Sequence, residues 1–328
     1  MEREIWVDDV KVIACVLVVL GHFFQGITNE SILPANDLFQ WFNQTIYYFH
    51  VPLFFICSGY LYQKFSKVED IHGWKSNVLK KALNLGIPYF IFSFAKWFLK
   101  TTFSDDGMSG LFDIWFLHPI PPYWYLYALF FLFLITPTFR NKEMAAWGLA
   151  AALFAKILGM VGQHDVKAVS YILSNEIWFV MGMCLCVWNV KACIKKNMVV
   201  IPIIIGSAFT ALSVLIYKAS IQHAMVSFLM GLIACFSLIM MVMMGFKNGK
   251  QTAVLAYLSK YTMPIFLMHT VFAAPMRSML LKVGICNAAV HVTAGLIISF
   301  AGPIAVAEIF KRNKWLEFFL YPGKLIKR

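Results

Sequence analysis

The chain has 328 residues, 60% of them hydrophobic and 13% charged, with a mean hydropathy of +0.71. That apolar excess lies far outside the range of soluble globular domains and predicts an all-α integral membrane protein. The net charge of +12 invites a nucleic-acid partner, but its distribution along the chain argues against one.

Windows able to cross about 30 Å of hydrocarbon recur throughout. They lie near 10–27, 44–62, 82–102, 123–139, 144–162, 168–188, 198–217, 223–245, 255–276 and 287–310. They predict a polytopic bundle of about ten transmembrane helices, forming a single domain over 1–328. The opening "MEREIWVDD" is followed by no A-x-A-like cleavage site, so the first span is expected to be retained. With the N-terminus inside, 21 lysines and arginines fall on the cytoplasmic side and 5 on the other, while Lys96 and Lys156 lie within spans. The cytoplasmic set includes Arg3, Lys11, Lys64, Lys67, Lys80, Lys81, Lys195, Lys196, Lys247, Lys250, Lys327 and Arg328. Such asymmetry is the positive-inside pattern, and it places both termini in the cytoplasm. The lipid bilayer accounts for the basic excess, and no nucleic acid is expected.

In the first span, Lys11 and His22 are eleven positions apart, which returns to within about 20° of the same helix face roughly 16 Å further along. An imidazole at mid-depth aligned with a basic group at the membrane surface marks a functional face. Asp8 lies within one turn of Lys11 and can pair with it, so a structural ion pair stays open for that lysine.

The second span, "IYYFHVPLFFICSGYLY", carries Pro52, which frees the carbonyl of Tyr48 and should bend the helix. His50 sits at that bend, and Ser58 and Gly59 remove bulk further on, either as a packing seam or as a wall admitting a thin ligand chain. Lys80 and Lys81 precede the third span. The outer loop that follows carries Asp105, Asp106, Asp113 and "WFLHPIPPYWY", whose rings suit either sugar stacking or an interfacial aromatic belt. Glu176 in the sixth span and His269 in the ninth are ionisable groups at depth. The carboxylate is open to catalysis or to pairing with Lys96, Lys156 or a histidine, and the histidine to a cavity or a neighbouring helix. The seven cysteines lack metal-ligand spacing with histidine, so free thiols and no metal site are expected.

Taken in order, "VDDVKVIACVLVVLGH", "YYFHVPLFFICSGYL", "LGIPYFIF", "PYWYLYALFF" and "YTMPIFLMH" resemble the acyltransferase 3 family of membrane O-acyltransferases, and most closely its fucose 4-O-acetylase-like branch. The resemblance spans residues 7 to 269. The family's basic-x10-His motif falls on Lys11 and His22, its span-two Ser-Gly on Ser58 and Gly59, and the branch's Phe-His-x-Pro on Phe49, His50 and Pro52. Many members carry Arg-x-x-Arg before the "PY" of span three, whereas this chain reads "KKALNLGIPY". Two lysines there supply point charges without bidentate phosphate contacts.

The resemblance implies that an acyl group, most often acetyl from acetyl-CoA, passes to a hydroxyl of a cell-surface or lipid-linked carbohydrate in the bacterial cell membrane. It implies acyl-CoA as donor substrate and no permanently bound cofactor. His22 and Glu176 are then the catalytic candidates. Lys11, Asp8, Ser58, Gly59 and Lys81 are the donor-binding candidates, and His50 and His269 orient the imidazole or bind the acceptor. A proton-coupled transporter or flippase for lipid-linked glycans is the alternative, since buried His, Glu and Lys suit it too.

Overall fold

Capping and helix-breaking residues divide the apolar windows into helices. The computed structural model describes residues 3–34, 36–66, 68, 70–103, 109–162, 165–194, 198–245 and 251–326. Its helices are α1 (Ile5–Asn29), α2 (Asp37–Tyr47), α3 (His50–Phe65), α4 (Ile71–Lys81), α5 (Ile87–Phe103), α6 (Trp124–Ile135), α7 (Lys142–Val161) and α8 (Lys167–Val187). They continue with α9 (Val190–Cys193), α10 (Val200–Lys218), α11 (Ala224–Gly245), α12 (Ala253–Ser259), α13 (Thr262–Lys282), α14 (Ala288–Phe310), α15 (Lys314–Leu320) and α16 (Pro322–Ile326). A π-helical turn, Ala82–Gly86, joins α4 to α5, and a second, Asp113–Leu117, precedes α6. Among the described residues there is no strand. Asp105, Asp106, Lys67, Lys195, Lys196, Lys247, Lys250, Lys327 and Arg328 lie outside the described residues.

Among the described residues eight helical segments are long and apolar enough to cross a membrane, the joined run Ile71–Thr102 among them, and the chain is a polytopic helical membrane protein. The remaining two expected windows fall on shorter helices. Over 44–62 the chain does not bend within one helix; α2 stops at Tyr47 and α3 restarts at His50. The restart puts Pro52 in a first helical turn, where its missing N–H breaks no bond. Likewise α13 begins two residues before Pro264, separating it from α12. The fourth window holds only α6, because Thr136 before Pro137 is extended, with φ −96° and ψ 112°. Asn36, Asp70 and Asn141 accept N–H bonds from Phe39, Gly73 and Met144 and so fix three helix starts.

The chain forms two compact units, Met1–Cys57 with Asn189–Ile304, and Ser58–Trp188 with Ala305–Arg328. The first is organised by α1, which packs on α13, α12, α11 and α2. Cys15 Sγ donates to the Thr262 carbonyl at 3.6 Å, the His22 ring faces that of His269, and Arg277 reaches Glu30. Each pair is 247 positions apart, so α1 and α13 run parallel in a fixed register, meeting at seven- or eight-residue steps as heptad-like packing requires. In the second unit α8 packs on α7 and α6. A Cβ on Gly59 would stand 1.9 Å from the Phe179 carbonyl oxygen, so only glycine permits this approach of α3 to α8. Gln63 closes the same end by donating to the Phe139 carbonyl at 2.8 Å and accepting from its N–H at 2.9 Å.

Candidate functional site

The first unit holds Asp8, Lys11, His22, His50 and His269. Lys11 is half-buried and, among the described residues, has no hydrogen-bond or ion-pair partner. The pairing of Asp8 with Lys11 is not formed. Asp8 instead pairs with the Arg3 guanidinium, which also donates to Ser259 Oγ at 2.7 Å. Arg3 reaches Asp8 from just before α1, leaving the Lys11 ammonium available to a ligand. Three turns further along α1, the half-buried His22 ring lies 5.4 Å, centroid to centroid, from that of His269, with planes tilted by 35°.

His269 is 1% exposed, and its Nδ1 lies 3.0 Å from the carbonyls of both Ile265 and Phe266. Carbonyls only accept, so Nδ1 carries the hydrogen and the neutral ring keeps its lone pair on Nε2. His50 is arranged alike. Its Nδ1 donates to the Ile46 carbonyl at 2.6 Å, and its ring meets Tyr47 edge-on at 4.7 Å. The Tyr47 hydroxyl in turn donates to Gln25 Oε1 of α1 at 3.4 Å. Two imidazoles on different helices thus have fixed tautomers, each with a basic nitrogen on the ring edge away from its own backbone.

The second unit holds Ser58, Gly59, Lys81 and Glu176. Ser58 Oγ is 3.0 Å from the Tyr125 hydroxyl, and Gly59 abuts Phe179. The Lys81 ammonium lies 3.9 Å from the centre of the Phe133 ring, which packs edge-on against Phe179 at 5.2 Å. Gly59 and Lys81 therefore meet the two residues of one aromatic pair. Glu176, half-buried on α8, forms no hydrogen bond or ion pair among the described residues. Its expected partners are engaged elsewhere, Lys96 donating to the Pro121 carbonyl at 2.6 Å and Lys156 to the Ser174 carbonyl at 3.0 Å.

The aromatic segment before α6 packs on the protein: Tyr123 is fully buried and Trp124 stacks on Tyr171 at 4.4 Å. Beside it, His118 Nδ1 and Asp113 Oδ1 are 2.6 Å apart, and His118 Nε2 lies 3.0 Å from the Asp165 carbonyl. That carboxylate raises the His118 pKa above its ordinary value, while the bond from His118 lowers that of Asp113.

Three features escaped the sequence reading. Asp9 is completely buried, accepting from Gln251 Nε2 at 2.5 Å while its Oδ2 has no hydrogen-bond partner among the described residues. Arg277 lies against Gly26 of α1. Asn43 Oδ1, beside Gly21, is buried without a hydrogen-bond partner among the described residues. Asp9 reads in sequence as one half of an acidic pair, and only its place on the α1 face toward α12 distinguishes it from Asp8. A cavity of about 370 Å³ in the first unit is lined by Phe49, Ile203, Phe209, Ala234 and Met241 among others, and none of the candidate residues contributes to it.

Comparison with known proteins bears on this geometry. A family model described as an acyltransferase domain, that of the acyltransferase 3 family, matches residues 4–308. The chain is 34% identical over 175 residues to nodulation protein NolL of Sinorhizobium fredii, covering 52% of this chain and 46% of that protein. It is 26% identical over 159 residues to nodulation protein NolL of Mesorhizobium japonicum, covering 47% and 40%. The match thus spans less than half the length of these relatives. No solved structure is significantly similar.

Proposed function

The chain belongs to the acyltransferase 3 family, and on that footing we propose that it moves an acyl group, acetyl in the first instance, from cytosolic acyl-CoA to a hydroxyl of a cell-surface or lipid-linked carbohydrate in the cell membrane. The observation that carries this reading is the single face of α1 that presents an unengaged ammonium, Lys11, and three turns away a ring, His22, packed on His269.

The CoA phosphates meet Lys11 at the end of α1 that the charge asymmetry assigns to the cytoplasm. The thin pantetheine arm carries the thioester along the helix face toward His22. His22 accepts the proton of the acceptor hydroxyl as its oxygen attacks the thioester carbonyl carbon. The C–O bond forms, the C–S bond breaks, and the CoA sulfur leaves with a proton returned by the imidazolium. His269, its Nδ1 hydrogen held by two carbonyls, orients the His22 ring from the facing helix. The transfer step draws on residues of the first unit alone; Glu176, Ser58, Gly59 and Lys81 lie in the second.

Membranes supplied with labelled acetyl-CoA test the reading: label should pass to glycan with the wild type and not with His22→Ala. Acetyl-CoA binding by the purified protein separates this enzyme from a glycan flippase, which has no affinity for the donor.

A further inference from the structure

Arg277 is a cation inside the candidate span α13, and neither donor binding nor proton transfer employs it. Its side chain is 17% exposed. The guanidinium lies across α1: a Cβ on Gly26 would stand 2.5 Å from Arg277 Nη1 and 3.5 Å from Cζ. Gly26 is therefore the residue that lets this group settle on the helix. It is also four positions beyond His22, on the same face and about 6 Å further along the axis. The guanidinium thus sits one turn from the imidazole, on the side opposite Lys11.

Its charge is poorly matched within the protein. Glu30 Oε1 approaches Nη2 at 3.5 Å from a half-exposed position, a long contact for a charge-assisted bond. Nε is buried and has no hydrogen-bond partner among the described residues. A buried N–H of a cation left unmatched is costly, and an oxyanion taking Nε and one Nη together relieves that cost with bidentate geometry.

We propose that Arg277, seated on Gly26, is the acceptor-binding residue for an oxyanion, so that the preferred acceptor is a sugar carrying a carboxylate or a phosphate whose hydroxyl is presented to His22. The inference rests on His22 as the reaction centre only for its catalytic meaning; the anion site itself is open to binding measurements. Lys11 and Arg277 then bracket the imidazole, one holding the donor and the other the acceptor.

Equilibrium dialysis of the purified full chain in dodecyl maltoside, a phosphate-free detergent, against labelled glucuronate, glucose 1-phosphate and glucose tests it. One of the two anionic sugars should be retained over glucose, naming carboxylate or phosphate. Arg277→Gln should weaken that retention by about tenfold or more and Arg277→Lys by less, the loss expected for a charged hydrogen bond. Glu30→Gln, which removes the competing anion and leaves Arg277 in place, should tighten it. Equal retention of all three sugars, unchanged retention by Arg277→Gln, or weaker retention by Glu30→Gln would overturn the assignment. Displacement of the sugar by added phosphatidylglycerol would also overturn it, giving the site to a lipid headgroup. Because binding is read without turnover, a normal anion preference alongside full transfer by His22→Ala would sink the catalytic reading and leave the anion site standing.

Discussion

His22 and His269 face one another across the α1–α13 seam with ring centroids 5.4 Å apart. The two carbonyls that hold the His269 Nδ1 hydrogen belong to its own helix, so this ring is a fixed wall against which the His22 ring is set. His22→Ala should lower acetyl transfer by at least about 100-fold, the usual worth of a general base. His269→Phe keeps a ring of similar size but no nitrogen, and should lower kcat by a smaller factor while leaving the KM for acetyl-CoA unchanged. Labelled acetyl-CoA in membranes measures both, with detergent-solubilised circular dichroism confirming retained helix. Equal kcat for wild type and His269→Phe would show that the facing imidazole does nothing for the reaction.

Lys11, unlike its neighbours Asp8, Arg3 and Glu4, has no ion-pair partner among the described residues. An ammonium left unengaged at a helix end suits a phosphate ligand. Lys11→Ala should therefore raise the KM for acetyl-CoA by about tenfold, equivalent to about 1.4 kcal/mol, with little change in kcat. Lys11→Arg should recover most of the loss. Initial rates over a range of acetyl-CoA concentrations decide it; a fall in kcat at unchanged KM would move Lys11 from donor binding to the chemical step.

Much of this architecture was legible in advance because membrane helices depend on long apolar runs, and the Lys11–His22 face follows from helical periodicity alone. Proline positions were legible, but their effect was misjudged at Pro52. Helix restart costs less than a kink when a turn at Tyr48 and Phe49 can place the proline in a first turn. What periodicity does not encode is which helix faces which. The seam linking residues 247 positions apart, and with it the His22–His269 pair and the seat of Arg277 on Gly26, depends on tertiary register. Asp9 was hidden for a related reason: nothing local separates a buried aspartate bonded to Gln251 from its ion-paired neighbour Asp8.

Gly59 illustrates a sequence signal whose physical meaning came only with packing. A methyl group there would overlap the Phe179 carbonyl at 1.9 Å, and backbone cannot swing aside as a side chain can. Gly59→Ala should destabilise the protein by roughly 1–3 kcal/mol. Gly86→Ala is the control, since a Cβ at Gly86 meets nothing within 4 Å, and it should be neutral or slightly stabilising. Thermal unfolding of the detergent-solubilised variants separates the two; an unchanged Tm for Gly59→Ala would mean that α3 and α8 are free to shift apart.

The clamp of Asp113, His118 and Asp165 predicts a pH dependence whose sign follows from its geometry. Both ring nitrogens of His118 face acceptors, at 2.6 Å and 3.0 Å, and only the imidazolium donates from both. The folded state therefore raises the His118 pKa above 6.5, chiefly through Asp113 and then through the Asp165 carbonyl, with desolvation and, less, Lys167 opposing. A raised folded value means that the clamp's contribution is complete below the unfolded value and is lost as pH rises through the folded one. Asp113, held below 3.8 by the bond from His118, contributes above its unfolded value and loses that contribution as pH falls through the folded one. The clamp should thus be firmest between about pH 4 and about pH 6.5 and loosen as pH rises beyond that range. Hydrogen exchange of peptides covering 109–123, corrected for the intrinsic pH dependence of exchange, should show protection falling above that range in the wild type and already low in Asp113→Asn. Protection independent of pH in the wild type would mean that His118 is held by packing rather than by its charge.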